Sequence, residues 1–203
     1  MPDERYQLLF ESVKIGPVVA PNRFYQVPHC NGMGYRDVSA MAALRAIKAE
    51  GGWGVVNTEQ VEIHHTSEIT PFIELRIWDD RDLPALSRIT NAVHTHGALA
   101  GIELAYNGIN GPNLYSREVP LGPSDLPTVT FTNDPVQARA MTKQDLADLR
   151  RWHRNAALRA KSVGFDIVYV YAAHGFGTPQ HFLSRRYNQR TDEYGGSLKN
   201  RAR

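Results

Sequence analysis

The sequence predicts an α/β fold built on a parallel sheet. Three observations predict it. Short apolar, β-rich runs alternate with helical stretches four times over. The runs read as continuously apolar, as strands covered on both faces do. Polar side chains gather at the C-terminal ends of the runs.

The first elements are short. Leu8-Leu9-Phe10 and Val13-Lys14-Ile15-Gly16 read as a small hairpin ahead of the first β-rich run, Phe24-Tyr25-Gln26-Val27, which Pro28 ends. A helix follows near Ser39 to Glu50, with Met41, Leu44 and Ile47 along one face, and Gly51-Gly52 stops it. The second strand is Trp53 to Thr58. A loop then runs to about Asp80. The second helix carries Leu83, Leu86, Ile89 and Val93 at helical spacing and ends at Gly97.

Leu99 to Leu104 forms the third strand. Residues 105 to 141, rich in Gly, Pro, Asn and Ser, read as one long loop of the kind that often carries function. Thr142 with Asp145 reads as a capping box for a third helix that runs to about Val163. That helix turns Leu146, Leu149, Trp152 or His153, and Ala156 inward, and Gly164 terminates it. Ile167 to Tyr171 is the fourth strand, and Ser197 opens a fourth helix.

Two architectures fit this order: a doubly wound sheet and a (β/α)8 barrel. No Gly-x-Gly-x-x-Gly follows the first strands, which counts against the dinucleotide-binding wound sheet. Pro28-His29-Cys30-Asn31, Glu59-Gln60, Glu103, and Tyr171 with His174 all follow strands, where barrel active sites are built around one mouth. A barrel needs eight strands and four are visible. Residues 1–203 therefore read as the first four βα units, the N-terminal half of a barrel domain in a larger protein.

Composition narrows the function. The chain of 203 residues is 42% hydrophobic and 22% charged, with a net charge of +2. That balance is globular and gives no basic field for nucleic acid. No apolar run is long enough to span a membrane, and no secretory leader is visible. The one cysteine rules out an internal disulfide, and a cytoplasmic setting fits. The histidines His64, His65, His94 and His96 do not sit at metal-ligand spacing, so no metal site is expected. A lone cysteine taken by itself is usually a packed side chain.

The stretch Asn22-Arg23-Phe24-Tyr25-Gln26-Val27-Pro28-His29-Cys30 resembles the first strand of the trimethylamine and dimethylamine dehydrogenases of the old yellow enzyme superfamily. So do Lys48-Ala49-Glu50-Gly51-Gly52-Trp53-Gly54, His96 to Leu104, and Gly164 to Tyr171. Tyr187 to Arg201 resembles the superfamily segment after strand four. The resemblance covers nearly the whole chain. It implies an FMN-dependent amine dehydrogenase with the flavin bonded through its C6 to Cys30. A held thiolate can add to an electron-poor ring edge.

The resemblance also implies roles for other residues. Pro28 and His29 would lie along the flavin edge, and Glu103 on its polar side. Glu59 is either a flavin neighbour or a structural group. Tyr171 and His174 match the first two members of a Tyr-His-Asp triad that keeps the substrate amine neutral, with the Asp beyond residue 203. Phe176 stands where ene reductases place a proton-donating tyrosine. Gln60 stands where trimethylamine dehydrogenase has a tyrosine, so an amide acceptor replaces an aromatic wall. Gln60 points to a secondary amine such as dimethylamine, with histamine an alternative.

The expected reaction is oxidative dealkylation or deamination. The resemblance further implies a 4Fe-4S cluster whose cysteines are not in this chain, an electron-transferring flavoprotein as partner, and a homodimer at full length. Competing readings are an NAD(P)H-dependent ene or 2,4-dienoyl reductase, and an inactive barrel fragment.

Overall fold

A computed structural model describes residues 3–35, 37–69, 74–129 and 135–203. A 3-10 helix, Glu4–Phe10, opens the chain and is capped by the Asp3 carboxylate, which accepts the Arg5 backbone N–H. The hairpin strands β1 (Val13–Ile15) and β2 (Val18–Ala20) follow, paired antiparallel with Val13 opposite Ala20. The expected hairpin is therefore displaced: Leu8-Leu9-Phe10 belongs to the helical turn, and Val18–Ala20 supplies the second strand. Gly16, at φ 56°, makes the reversal between them.

The remaining elements are β3 (Tyr25–Gln26), α1 (Val38–Glu50), β4 (Val55–Glu62), β5 (Leu75–Arg76), α2 (Leu83–His94) and β6 (Leu99–Ala105). They continue with β7 (Leu121–Gly122), β8 (Leu126–Val129), β9 (Pro135–Ala140), α3 (Lys143–Ser162), β10 (Ile167–Val170), α4 (Thr178–Leu183) and α5 (Leu198–Arg201). The stretch from 105 to 141 is not one loop. It holds the small sheet β7-β9-β8, while residues 130–134 lie outside the described residues. Along β9, exposed positions alternate with more buried ones, the period of a strand with one covered face.

The main sheet runs β10-β6-β4-β3, with β5 added to β4. β3 and β4 are parallel, Tyr25 opposite Val55. Flanking bonds advance in the same sense. Leu99 N–H donates to the Gly54 carbonyl at 2.9 Å and Ile63 N–H to the Ala105 carbonyl at 3.2 Å. Asp166 N–H donates to Ala100 at 2.9 Å, and Tyr171 N–H to Leu104 at 3.0 Å. The four strands lie in chain order, whereas a doubly wound sheet reverses its order at a switch point.

The chain divides into two compact units. The first comprises Met1–Val61, Ile73–Glu103 and Ala157–Tyr169. Here α1 packs on α2, which buries Leu86, Ile89 and Val93 on one stripe. Burying each such side chain contributes roughly 1.5–3 kcal/mol. On α1 the expected face was misplaced. Met41, Ala42, Arg45 and Ala49 face inward, while Ile47 is 64% exposed. Steps of four residues hold a helix face better than two successive steps of three, which rotate Ile47 about 120° from Met41. Asp37 caps α1 by accepting Ala40 N–H at 3.0 Å.

The second unit comprises Glu62–Phe72, Leu104–Ala156 and Val170–Arg203. Its centre is the buried Tyr106, whose hydroxyl lies 2.9 Å from that of Thr66 and whose ring stacks on Trp152 at 5.6 Å. Trp152 in turn stacks on His64 at 3.7 Å. Arg190 ties the segment after α4 to the small sheet, donating to the carbonyls of Pro123 at 3.1 Å and Met141 at 2.6 Å. At the start of α3, Thr142 and Asp145 form the expected reciprocal cap. Asp145 N–H donates to the Thr142 hydroxyl at 3.1 Å, and Thr142 N–H to the Asp145 carboxylate at 2.7 Å. Among the described residues, no helix is long and apolar enough to cross a membrane, and no group of three or more His, Cys, Asp and Glu could hold a metal.

Candidate functional site

In the first unit the loop after β3 presents Pro28, His29 and Cys30. Pro28 is half-buried and His29 is exposed. Cys30 is a free, exposed thiol. Its loop is held on both sides. His29 N–H donates to the Thr58 carbonyl of β4 at 3.2 Å, and the Arg45 guanidinium donates to the His29 carbonyl at 2.6 Å. Beyond the cysteine, Asn31 N–H donates to the Glu59 carboxylate at 3.2 Å. The second oxygen of Glu59 accepts Leu75 N–H at 3.2 Å. Gly34 passes so close that a Cβ there would sit 2.0 Å from Glu59 Oε1.

Glu59 and Gln60 lie within β4, not after it, because the strand runs four residues past its expected end. Glu59 is fully buried, and its carboxylate is taken up by backbone N–H groups of Asn31, Gly32 and Leu75. Burial raises its pKa above the usual carboxylate range, against those bonds and the Arg45 charge. Gln60 is buried, and its backbone N–H hydrogen-bonds the Cys30 sulfur.

Glu103 also lies within its strand, β6, and is half-buried. Burial alone pushes its carboxyl up to about 7. No salt bridge to an arginine meets it among the described residues, and its side chain has no hydrogen-bond partner there. Cys30 faces solvent on one side and is crowded by protein on the other. That desolvation, with the charges of Glu59, Glu74 and Glu103, pushes its thiol up to about 11 despite the Gln60 N–H.

In the second unit, Tyr171 directly follows β10 and is buried. Its hydroxyl lies 3.0 Å from Nδ1 of His174, which is exposed. The turn is tight. His174 has φ 58°, a left-handed backbone that costs a non-glycine residue of its size some strain. Gly177, at φ 82°, packs so that a Cβ would sit 2.5 Å from the Tyr171 carbonyl oxygen. Gly175 is clamped from α4: its N–H donates to Gln180 Oε1 at 3.0 Å, and its carbonyl accepts His181 Nε2–H at 2.8 Å. Phe176 is half-buried on the same turn.

Thus the structure brings Pro28, His29, Cys30, Glu59, Gln60 and Glu103 into one unit, and Tyr171 with His174 into the other. Arg45 and His181 went unnoticed in the sequence. The burial of Arg45 is a tertiary feature for which the sequence carries no local signal.

The family model for the NADH:flavin oxidoreductase / NADH oxidase family matches residues 8–203. The chain belongs to that family. Within it, the dimethylamine dehydrogenase of Hyphomicrobium sp. (strain x) is 45% identical over 205 residues, covering 99% of this chain and 28% of that protein. The structure of histamine dehydrogenase from Rhizobium sp. 4-9 superposes with a TM-score of 0.96 at 69% identity, covering 99% of this chain and 31% of that one. A 6-hydroxypseudooxynicotine amine oxidase from Pseudomonas geniculata N1 matches at a TM-score of 0.95 and 51% identity, covering 100% of this chain and 30% of that one. This member of the NADH:flavin oxidoreductase family therefore spans just under a third of the length of its amine-oxidising relatives.

Proposed function

We propose that this chain is the N-terminal part, four βα units of a (β/α)8 barrel, of an FMN-dependent dehydrogenase of small amines. The observation that carries the reading is the 3.0 Å contact between the Tyr171 hydroxyl and His174 Nδ1. A hydroxyl so held can accept or release a proton at the substrate nitrogen. Only the neutral amine has the lone pair that drives loss of hydride from the adjacent carbon. Phe176 supports oxidation over alkene reduction, because it has no proton to give.

The residues present fit a flavin. Cys30 is an exposed thiol on a loop pinned from both sides. Glu103 is a half-buried carboxylate whose side chain lacks a hydrogen-bond partner among the described residues. When bound, FMN supplies the acceptor for the hydride equivalent. Cys30 would carry it as the 6-S-cysteinyl adduct, Pro28 and His29 would border it, and Glu103 would meet its polar edge. Glu59 we assign to the loop, since its oxygens are already taken. Loss of hydride leaves a substrate iminium, and water hydrolyses it to an aldehyde and a smaller amine. A 4Fe-4S cluster requires four cysteines and this chain has one; the cluster, an electron-transferring flavoprotein partner and a homodimer are part of the proposal for a longer protein.

Gln60 points to dimethylamine, its amide accepting an amine N–H. The 69% identity to a histamine dehydrogenase favours a second reading, a primary arylalkylamine. Amine-dependent reduction of a dye acceptor, run with dimethylamine, trimethylamine and histamine, tests both. Turnover of none of them, with NADPH-dependent alkene reduction instead, overturns the proposal.

A further inference from the structure

Arg45 has no place in the mechanism above. Yet it is a fully buried cation, 0% exposed, on a helix face otherwise made of Met41, Ala42 and Ala49. One nitrogen donates to the His29 carbonyl at 2.6 Å, and Nε and Nη1 have no hydrogen-bond partner among the described residues. Burying an ionised guanidinium with two unpartnered nitrogens is costly unless an anion shares the space. The loop it holds is the one that carries Cys30.

We propose that Arg45 is a positioning residue for Cys30: it fixes the His29 carbonyl and supplies the buried positive charge that favours the thiolate. This rests on the reading of Cys30 as the flavin-bearing residue. The geometry explains why a helix would bury an arginine beneath this loop. A nucleophilic sulfur needs its thiolate form, yet Glu59, Glu74 and Glu103 oppose it. Three carboxylates oppose the thiolate and the Gln60 backbone N–H favours it, while Arg45 is a buried cation anchored on the neighbouring His29 carbonyl. Burial disfavours the charged guanidinium, and Glu59 and then Cys30 favour it.

The test is the pH profile of Cys30 alkylation by iodoacetamide, in which the thiolate forms the S–C bond and iodide leaves. Flavin-free protein from riboflavin-starved cells is alkylated, and the Cys30 peptide is quantified by mass spectrometry. Arg45→Gln keeps an amide donor for the His29 carbonyl and loses the charge. Arg45→Lys keeps the charge. The neutral variant is expected to shift the midpoint upward and to react about tenfold more slowly at pH 9, with an unchanged plateau rate, for a shift of one unit. Arg45→Lys is expected to keep the wild-type midpoint. A purely structural role would change the plateau and leave the midpoint in place, and that result overturns the proposal. Arg45→Met, also neutral, serves if the glutamine is not accommodated. The mass of the Cys30 peptide from riboflavin-replete cells reports flavin attachment separately, so failure of the flavin reading is distinguishable from failure of the Arg45 proposal.

Discussion

The Tyr171 hydroxyl lies 3.0 Å from Nδ1 of His174, across a turn in which His174 itself adopts a left-handed backbone at φ 58°. The pair is thus built by an unfavourable local conformation, which Gly175 and Gly177 at φ 81° and 82° make feasible. Strain of this kind persists when neighbouring contacts enforce it, and here Gln180 and His181 grip Gly175 from α4.

His174→Asn separates chemistry from structure. Asparagine tolerates positive φ, so the melting temperature is expected to stay close to that of the wild type. Loss of the imidazole is expected to lower kcat/KM for the amine roughly a hundredfold and to alter its pH profile. Tyr171→Phe should do the same. Steady-state kinetics across pH, beside thermal melts, check both. A variant that melts early and loses activity in proportion would mean the pair is merely structural.

Glu103 gives a stability signature. Its carboxyl is raised from 4.5 to about 7 by burial. The folded protein therefore binds this proton more tightly than the unfolded chain between those values. Stability contributed by the group falls as pH rises through that window and stays low above it. Glu103→Gln removes the penalty. In flavin-free protein it is expected to be more stable than wild type above pH 7, by roughly 1–2 kcal/mol after allowance for partial exposure, and equal to it below about pH 4.5. Denaturant titrations at pH 4.5 and 8 measure this, and a pH-independent difference would refute it.

Gly34→Ala tests the loop anchor. The new Cβ would meet Glu59 Oε1 at 2.0 Å and the Leu75 backbone nitrogen at 2.7 Å. Glu59 must then release a backbone N–H, at a cost of about 1–3 kcal/mol. The melting temperature is expected to fall, with weaker hydrogen-exchange protection at Asn31 and Leu75. Unchanged protection there would show that Glu59 does not hold the loop.

Much of this architecture was legible in the sequence. Strands with continuous apolar runs and helices with glycine stops were found because both signals are local. Leu86, Ile89 and Val93 fell on one stripe as expected. The α1 face was misread because Arg45 is charged and Ile47 is apolar. Arg45 is buried where its guanidinium donates to the His29 carbonyl, a tertiary contact that no local pattern encodes. β9 escaped notice because its flanking Pro and Asn residues read as loop. In the candidate site, Cys30, Tyr171 and His174 were singled out through motif resemblance. The double use of the Glu59 carboxylate depends on Leu75 approaching from 16 residues away, which no local pattern encodes.

The most direct measurement is a denaturing gel of the purified protein viewed under ultraviolet light after acid oxidation. Flavin fluorescence is expected to migrate with the polypeptide and to vanish in Cys30→Ala. Fluorescence only at the dye front, or a Cys30→Ala band as bright as wild type, would contradict the assignment of Cys30 as the flavin-bearing residue.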